Sequence, residues 1–172
     1  MKKILLIFFA ISMASCVTKT QNSNGFVNGA DFKVQMGSQE SVELFKALDS
    51  AWASLDYTKL KGFISDDAVM NFEDGTVAIG SEAFITKIQS EVEEKIEQGE
   101  TYEWTTDYAF ALSLEGATES DPLYGDWVNA QFTSKQNNPD SEIAGEIFYE
   151  FYQVRNAKVV SWTQFKKTVL KK

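Results

Sequence analysis

From residue 101 onward the chain switches to a period of two and keeps it almost to its end. Tyr102 to Glu115, Tyr124 to Lys135, Ile143 to Arg155 and Lys158 to Lys167 each alternate in the manner of a long strand. Turn-like linkers separate them: GATESDP, QNNPDS and the tight Arg155-Asn156-Ala157. Four long strands joined by short turns predict an antiparallel meander. The half before residue 100 carries a helical period instead, so the reading is an α+β domain with helices packed on one face of a curved sheet.

Ser38 is placed to cap a first helix running to about Leu55, with Leu44, Phe45, Leu48, Ala51, Trp52 and Leu55 on one stripe. Asp56 is placed to cap a short second helix with Leu60, Phe63 and Ile64 inward, ended by Asp66 and Asp67. Val69 to Phe72 and Thr76 to Ile79 read as short strands around a Glu73-Asp74-Gly75 turn. Gly80-Ser81 then opens a third helix with Ser81 as its expected cap; Phe84, Ile88, Val92 and Ile96 fall four apart, and Gly99 terminates it.

The N-terminus reads as an address. Lys2 and Lys3 precede an apolar run, Ile4 to Ile11, too short to span a bilayer. Ala14 and Ser15 then lead to Cys16, the single cysteine of the chain. The stretch Met13-Ala14-Ser15-Cys16 resembles the lipobox of bacterial lipoproteins, which implies cleavage after residue 15 and lipidation of Cys16. Residues 16–37 are rich in Gly, Asn and Ser and read as a flexible tether, which leaves 38–172 as the folded domain. By resemblance to bacterial lipoprotein sorting, in which an Asp after the cysteine implies retention at the inner membrane, Val17 implies the outer membrane, and no acidic run follows. The expected location is therefore the periplasmic face of the outer membrane.

Composition removes several function classes. The net charge of −9 disfavours nucleic acid as a partner. The chain contains no histidine, which excludes a His-Asp dyad, a Ser-His-Asp triad and a His-ligated zinc site. No phosphate loop or metal cluster is visible, and no cofactor is expected.

The order of elements resembles the nuclear transport factor 2-like superfamily, which includes SnoaL-like polyketide cyclases and ketosteroid isomerases. The resemblance rests on a helix, a short helix ending in Asp66-Asp67-Ala68, a strand, the Asp74-Gly75 turn and Gly80-Ser81-Glu82-Ala83-Phe84 opening a helix. The final pair IFYEFYQVRNAKVVSWTQF also fits, and the likeness covers roughly residues 38 to 168. It implies a cone: three N-terminal helices packed on a curved antiparallel sheet, enclosing an apolar pocket. It also implies a loss. The proton-shuttling aspartate of the isomerases falls at Phe72 and their helix-borne tyrosine near Leu48, so that isomerase chemistry is not expected.

One acid remains of interest. In IFYEFY, Phe148, Glu150 and Tyr152 share one strand face and Ile147, Tyr149 and Phe151 the other. If Glu150 faces the cone, it becomes the first candidate for acid–base work, with Tyr152 second; if it faces solvent, it is a lysine partner. Leu48, Trp52, Phe63, Phe72, Phe84, Ile88, Phe148, Glu150, Tyr152 and Trp162 are the expected pocket-lining residues, although core packing alone accounts for most such aromatics. Asp107 ranks lower, with small polar neighbours. Both faces of IFYEFY are aromatic, so one needs cover, and a homodimer is one way to provide it. The favoured function is non-catalytic binding of a small apolar molecule or an envelope protein. A SnoaL-like lyase, isomerase or cyclase using Glu150 is the alternative, and a structural accessory subunit a third reading.

Overall fold

The computed structural model describes residues 23 and 25–172. The expected signal peptide of residues 1–15 and the expected lipidation site Cys16 lie outside the described residues. Helix α1 (Gln39–Ala53) starts where Ser38 accepts a hydrogen bond from the Ser41 backbone N–H, and α2 (Tyr57–Gly62) where Asp56 accepts one from Lys59. Both caps supply a partner to an N–H that has none within the helix.

Three strands precede the meander. The first, β1 (Lys33–Met36), pairs antiparallel with β4 (Thr105–Glu115), from Lys33↔Glu115 to Met36↔Leu112. The stretch read as tether therefore ends in an edge strand. The second strand, β2 (Ile64–Asn71), begins earlier than its apolar residues indicate and contains Asp66 and Asp67. These acids do not end α2. They sit at an irregularity where β2 runs parallel to β7 (Lys158–Leu170), and their outward side chains leave Ile64, Ala68 and Met70 buried. The third strand, β3 (Val77–Ile79), closes a hairpin with β2.

Helix α3 (Gly80–Glu97) has no side-chain cap, contrary to the expectation for Ser81. Gly80 takes φ +83° at this junction, with the Asp66 carbonyl oxygen 2.5 Å from where a Cβ would stand. Ser81 lies inside the first turn and donates its hydroxyl to Asp66 Oδ1 at 2.9 Å. The meander then follows as β4 (Thr105–Glu115), β5 (Asp126–Lys135), β6 (Ile143–Arg155) and β7 (Lys158–Leu170). The β6–β7 turn places Asn156 and Ala157 at φ +49° and +56°, as a two-residue type I′ hairpin requires.

Among the described residues, seven strands order as β1-β4-β5-β6-β7-β2-β3, with only the β7–β2 neighbours parallel. The concave face packs on the helices through an aromatic core. Trp162, 1 % exposed, meets Phe72, Phe84 and Trp52 with ring centroids 5.0, 5.4 and 5.9 Å apart. Phe45 meets Tyr152 edge-on at 5.3 Å. Such pairs contribute roughly 0.5–1.5 kcal/mol each beyond area burial. At the α1 entry, Asp126 Oδ2 accepts from the Ser38 N–H at 3.0 Å, the Ser41 hydroxyl at 2.7 Å and the Ser38 hydroxyl, tying the helix to the sheet.

Candidate functional site

The acids of the 65–80 stretch have local partners. Asp67 accepts from the Ser65 hydroxyl. Asp74 accepts the Thr76 hydroxyl and N–H and pairs with Lys87, which together hold its carboxyl down at about 2. Glu73 pairs with Lys166 at 2.9 Å. These contacts punctuate a turn and hold strand ends. Asp107, exposed, accepts from Gln131 and Thr133 and is likewise structural.

A cavity of about 350 Å³ opens between α1, α3 and the concave sheet face, at the end where β4 begins and β5 stops. Its interior is aromatic: Trp52, Phe72, Tyr102, Trp104, Phe132, Phe148, Tyr152 and Trp162. Its rim carries carboxylates from α3 and the following loop, together with Glu73 and Glu146. Of the expected lining residues, the structure brings Trp52, Phe72, Ile88, Phe148, Glu150, Tyr152 and Trp162 to this cavity. Three do not line it. Leu48 and Phe84, 2 % and 1 % exposed, are spent in the core, where the helices close on the sheet. Phe63 caps α2 beside the start of β7, where its carbonyl accepts from Val159, whereas the cavity borders the middle of that strand.

Glu150 faces the cone. It is 5 % exposed and its two oxygens accept three protein donors. Oε2 takes the Trp162 indole N–H at 2.9 Å and the Tyr152 hydroxyl; Oε1 takes the Gln164 amide at 2.7 Å. Burial pushes its pKa up; the three donors pull against this, and the charge of Asp49 adds to the rise. Tyr152 is raised well above its ordinary range by burial and then by the neighbouring Glu150. Its hydroxyl already donates to Glu150.

Sequence reasoning missed a second group. Asp49 lies one helical turn before Trp52 on α1. Its carboxylate accepts the Trp104 indole N–H at 2.9 Å and the Thr106 hydroxyl at 2.7 Å. Tyr102 accepts the Trp52 indole N–H at 3.0 Å. Tyr102 and Trp104 meet edge-on at 5.5 Å, and Trp52 and Trp104 at 6.2 Å, forming one wall of the cavity. The i, i+3 spacing of Asp49 and Trp52 was a readable signal, since both share a helix face. Nothing local links Trp104 to an acid 55 residues earlier.

At the level of sequence, no protein-family model matches the chain, nor does any curated protein. Solved structures do. A candidate ketosteroid isomerase from Kribbella flavida superposes with a TM-score of 0.57 at 9 % identity, over 80 % of this chain and 84 % of that one. A candidate SnoaL-like polyketide cyclase from Shewanella denitrificans gives 0.53 at 13 % identity, over 76 % and 92 %. A nuclear transport factor 2-like protein of unknown function from Cytophaga hutchinsonii gives 0.51 at 9 % identity, over 77 % and 93 %. The chain has the nuclear transport factor 2-like fold, an α+β cone shared by SnoaL-like cyclases and ketosteroid isomerases. At these identities the likeness concerns fold alone, and a fold of this kind hosts many functions.

Proposed function

We propose that this protein binds a small molecule with an apolar body in its cone cavity and does not transform it. The observation that carries this reading is the engagement of Glu150: all three donors around it come from the protein. A carboxylate offers about four acceptor positions, so little of Glu150 is left for a substrate proton. The position that resemblance gives to the isomerase aspartate holds Phe72, which cannot move a proton, and the one near the helix-borne tyrosine holds buried Leu48. A preformed cavity of about 350 Å³ with aromatic walls is within the size range of small-molecule sites.

The test is native mass spectrometry of residues 23–172 purified without detergent. A co-purifying mass of a few hundred daltons, released on unfolding, supports the reading. A bare polypeptide that also takes up no apolar probe refutes it.

A second reading keeps a specific observation: a buried carboxyl with a raised pKa in an apolar pocket is suited to general acid–base catalysis. It makes the protein a SnoaL-like lyase, isomerase or cyclase using Glu150 and then Tyr152. Turnover unaffected by Glu150→Gln would sink it.

We also propose that the protein acts at the periplasmic face of the outer membrane, held there by lipid on Cys16, and that it pairs through its convex face. Tyr108, Phe110, Phe151 and Phe165 are 45, 41, 37 and 56 % exposed on that face, which argues for a covering copy. Labelled palmitate incorporated by the wild type and absent from Cys16→Ser supports the anchor; equal labelling refutes it.

A further inference from the structure

We propose that the cavity selects a cation: its ligand is an apolar molecule bearing an amine or quaternary ammonium, seated between the Trp52–Tyr102–Trp104 wall and the Asp49 carboxylate. This inference rests on the small-molecule reading above and adds the charge of the ligand.

Apart from the Tyr102 O–H, the hydrogen-bond donors of the aromatic interior are already committed. The indole N–H groups of Trp52, Trp104 and Trp162 point to Tyr102, Asp49 and Glu150. The Tyr152 hydroxyl and the Gln164 amide are given to Glu150. What Trp104, half-buried on the cavity wall, has left to offer is the face of its ring. A ring face carries negative partial charge and attracts a cation within about 6 Å of its centroid. A carbonyl or carboxylate on the ligand would find few free donors here.

Charge points the same way. Eight carboxylates and three lysines line the cavity. Two of the lysines are tied at the rim, Lys95 to Glu100 and Glu146, and Lys166 to Glu73 and Glu146; the third, Lys135, is exposed at the end of β5. Asp49 and Glu150 lie deeper, and among the described residues neither has a cationic partner. The charge of Asp49 is felt at Glu150, where it raises the carboxyl pKa. An ammonium group beside Asp49 would relieve that repulsion, whereas an anionic ligand would deepen it. Opposite charges near a protein surface attract more strongly than in bulk water, so the sign of the ligand bears on its binding as well as its shape.

The test uses the full-length protein and three size-matched probes: benzyltrimethylammonium, neutral neopentylbenzene and anionic phenylmethanesulfonate. Tryptophan fluorescence reads the binding, since Trp52, Trp104 and Trp162 line the cavity. The expected result is that the cation binds at least about tenfold tighter than the neutral probe and that the anion does not bind. Asp49→Asn is expected to remove this preference, read as the ratio of cation to neutral affinity within the variant. Trp104→Leu, which withdraws the ring face and keeps an apolar wall, is expected to lower the same ratio and stands in if Asp49→Asn does not fold. Neutral binding as tight as cation binding overturns the cation inference and leaves the apolar cavity standing. A preference that survives both variants also overturns it, because the cation then sits elsewhere. No binding by any probe overturns both readings.

Discussion

Glutamine at position 150 keeps the shape of the side chain and removes its titration. In the folded protein, burial holds the Glu150 carboxyl above its ordinary value of 4.5. Below about pH 4.5 both folded and unfolded chains carry the proton, and its stabilising contribution is complete. Between that pH and the raised folded value, only the folded chain keeps the proton. Unfolding then releases it, and stability falls as the pH rises. Above the folded value both states are ionised and the loss is complete. One proton corresponds to a slope of at most about 1.4 kcal/mol per pH unit, or roughly 3–6 °C in Tm for a domain of this size. The assay is urea unfolding of the wild type and Glu150→Gln at half-unit steps from about pH 4 to about pH 8. Subtracting the two curves cancels every other group, including Asp74 and Asp126, whose lowered values place their effects at more acid pH. The wild type should lose stability relative to the variant as pH rises from about 4.5, and the difference should then level off. A flat difference, or a wild type that gains on the variant, would show that the three donors outweigh desolvation and that the argument has the wrong sign.

Ala157→Gly should stabilise the β6–β7 hairpin by about 0.5 kcal/mol: relief of a left-handed alanine is worth about 1–2 kcal/mol, and the glycine's extra unfolded-state freedom takes back about 0.5–1; an unchanged or lower urea midpoint refutes it. Asp126→Ala removes the acceptor of the Ser38 N–H and of two serine hydroxyls, Ser41 being buried, and should cost about 1–3 kcal/mol in thermal unfolding. Burial raises the Asp126 pKa, but its serine donors outweigh this, so the contribution is present above about pH 3.8 and lost as pH falls. Phe151→Lys, placed on the convex face, should leave the fold intact and convert a dimer to monomer in light scattering; a wild type that is monomeric at tens of micromolar removes the premise.

The helix starts and the four long strands were legible because local chemistry decides them. Ser38 and Asp56 cap as expected, and β6 begins and ends at the residues where the alternation does. β1 was not legible: four residues in a polar stretch carry no pattern, and their strand exists because β4 offers an open edge. The start of β2 was hidden by Ser65-Asp66-Asp67, whose extended shape is imposed by β7 and by Ser81. Alternation sorted Glu150 and Tyr152 onto one face of β6 without saying which face is inward. Sheet curvature and the helices above it make that choice, and both are long-range. Asp49 and Trp104 meet for the same reason, at a separation no short pattern spans.

The chain enters the sheet at Lys33, opposite Glu115, at the far end of β4 from the cavity. Eleven residues of strand separate the two ends, about 35 Å. A lipid at Cys16 would thus tether the domain from the end of the sheet opposite the cavity, leaving the mouth of the cone open to the aqueous compartment. A ligand would then arrive by diffusion through water and not by sliding sideways out of a leaflet. On the proposed reading, such a tether suits a receptor for something already dissolved, which favours molecules polar enough to travel alone.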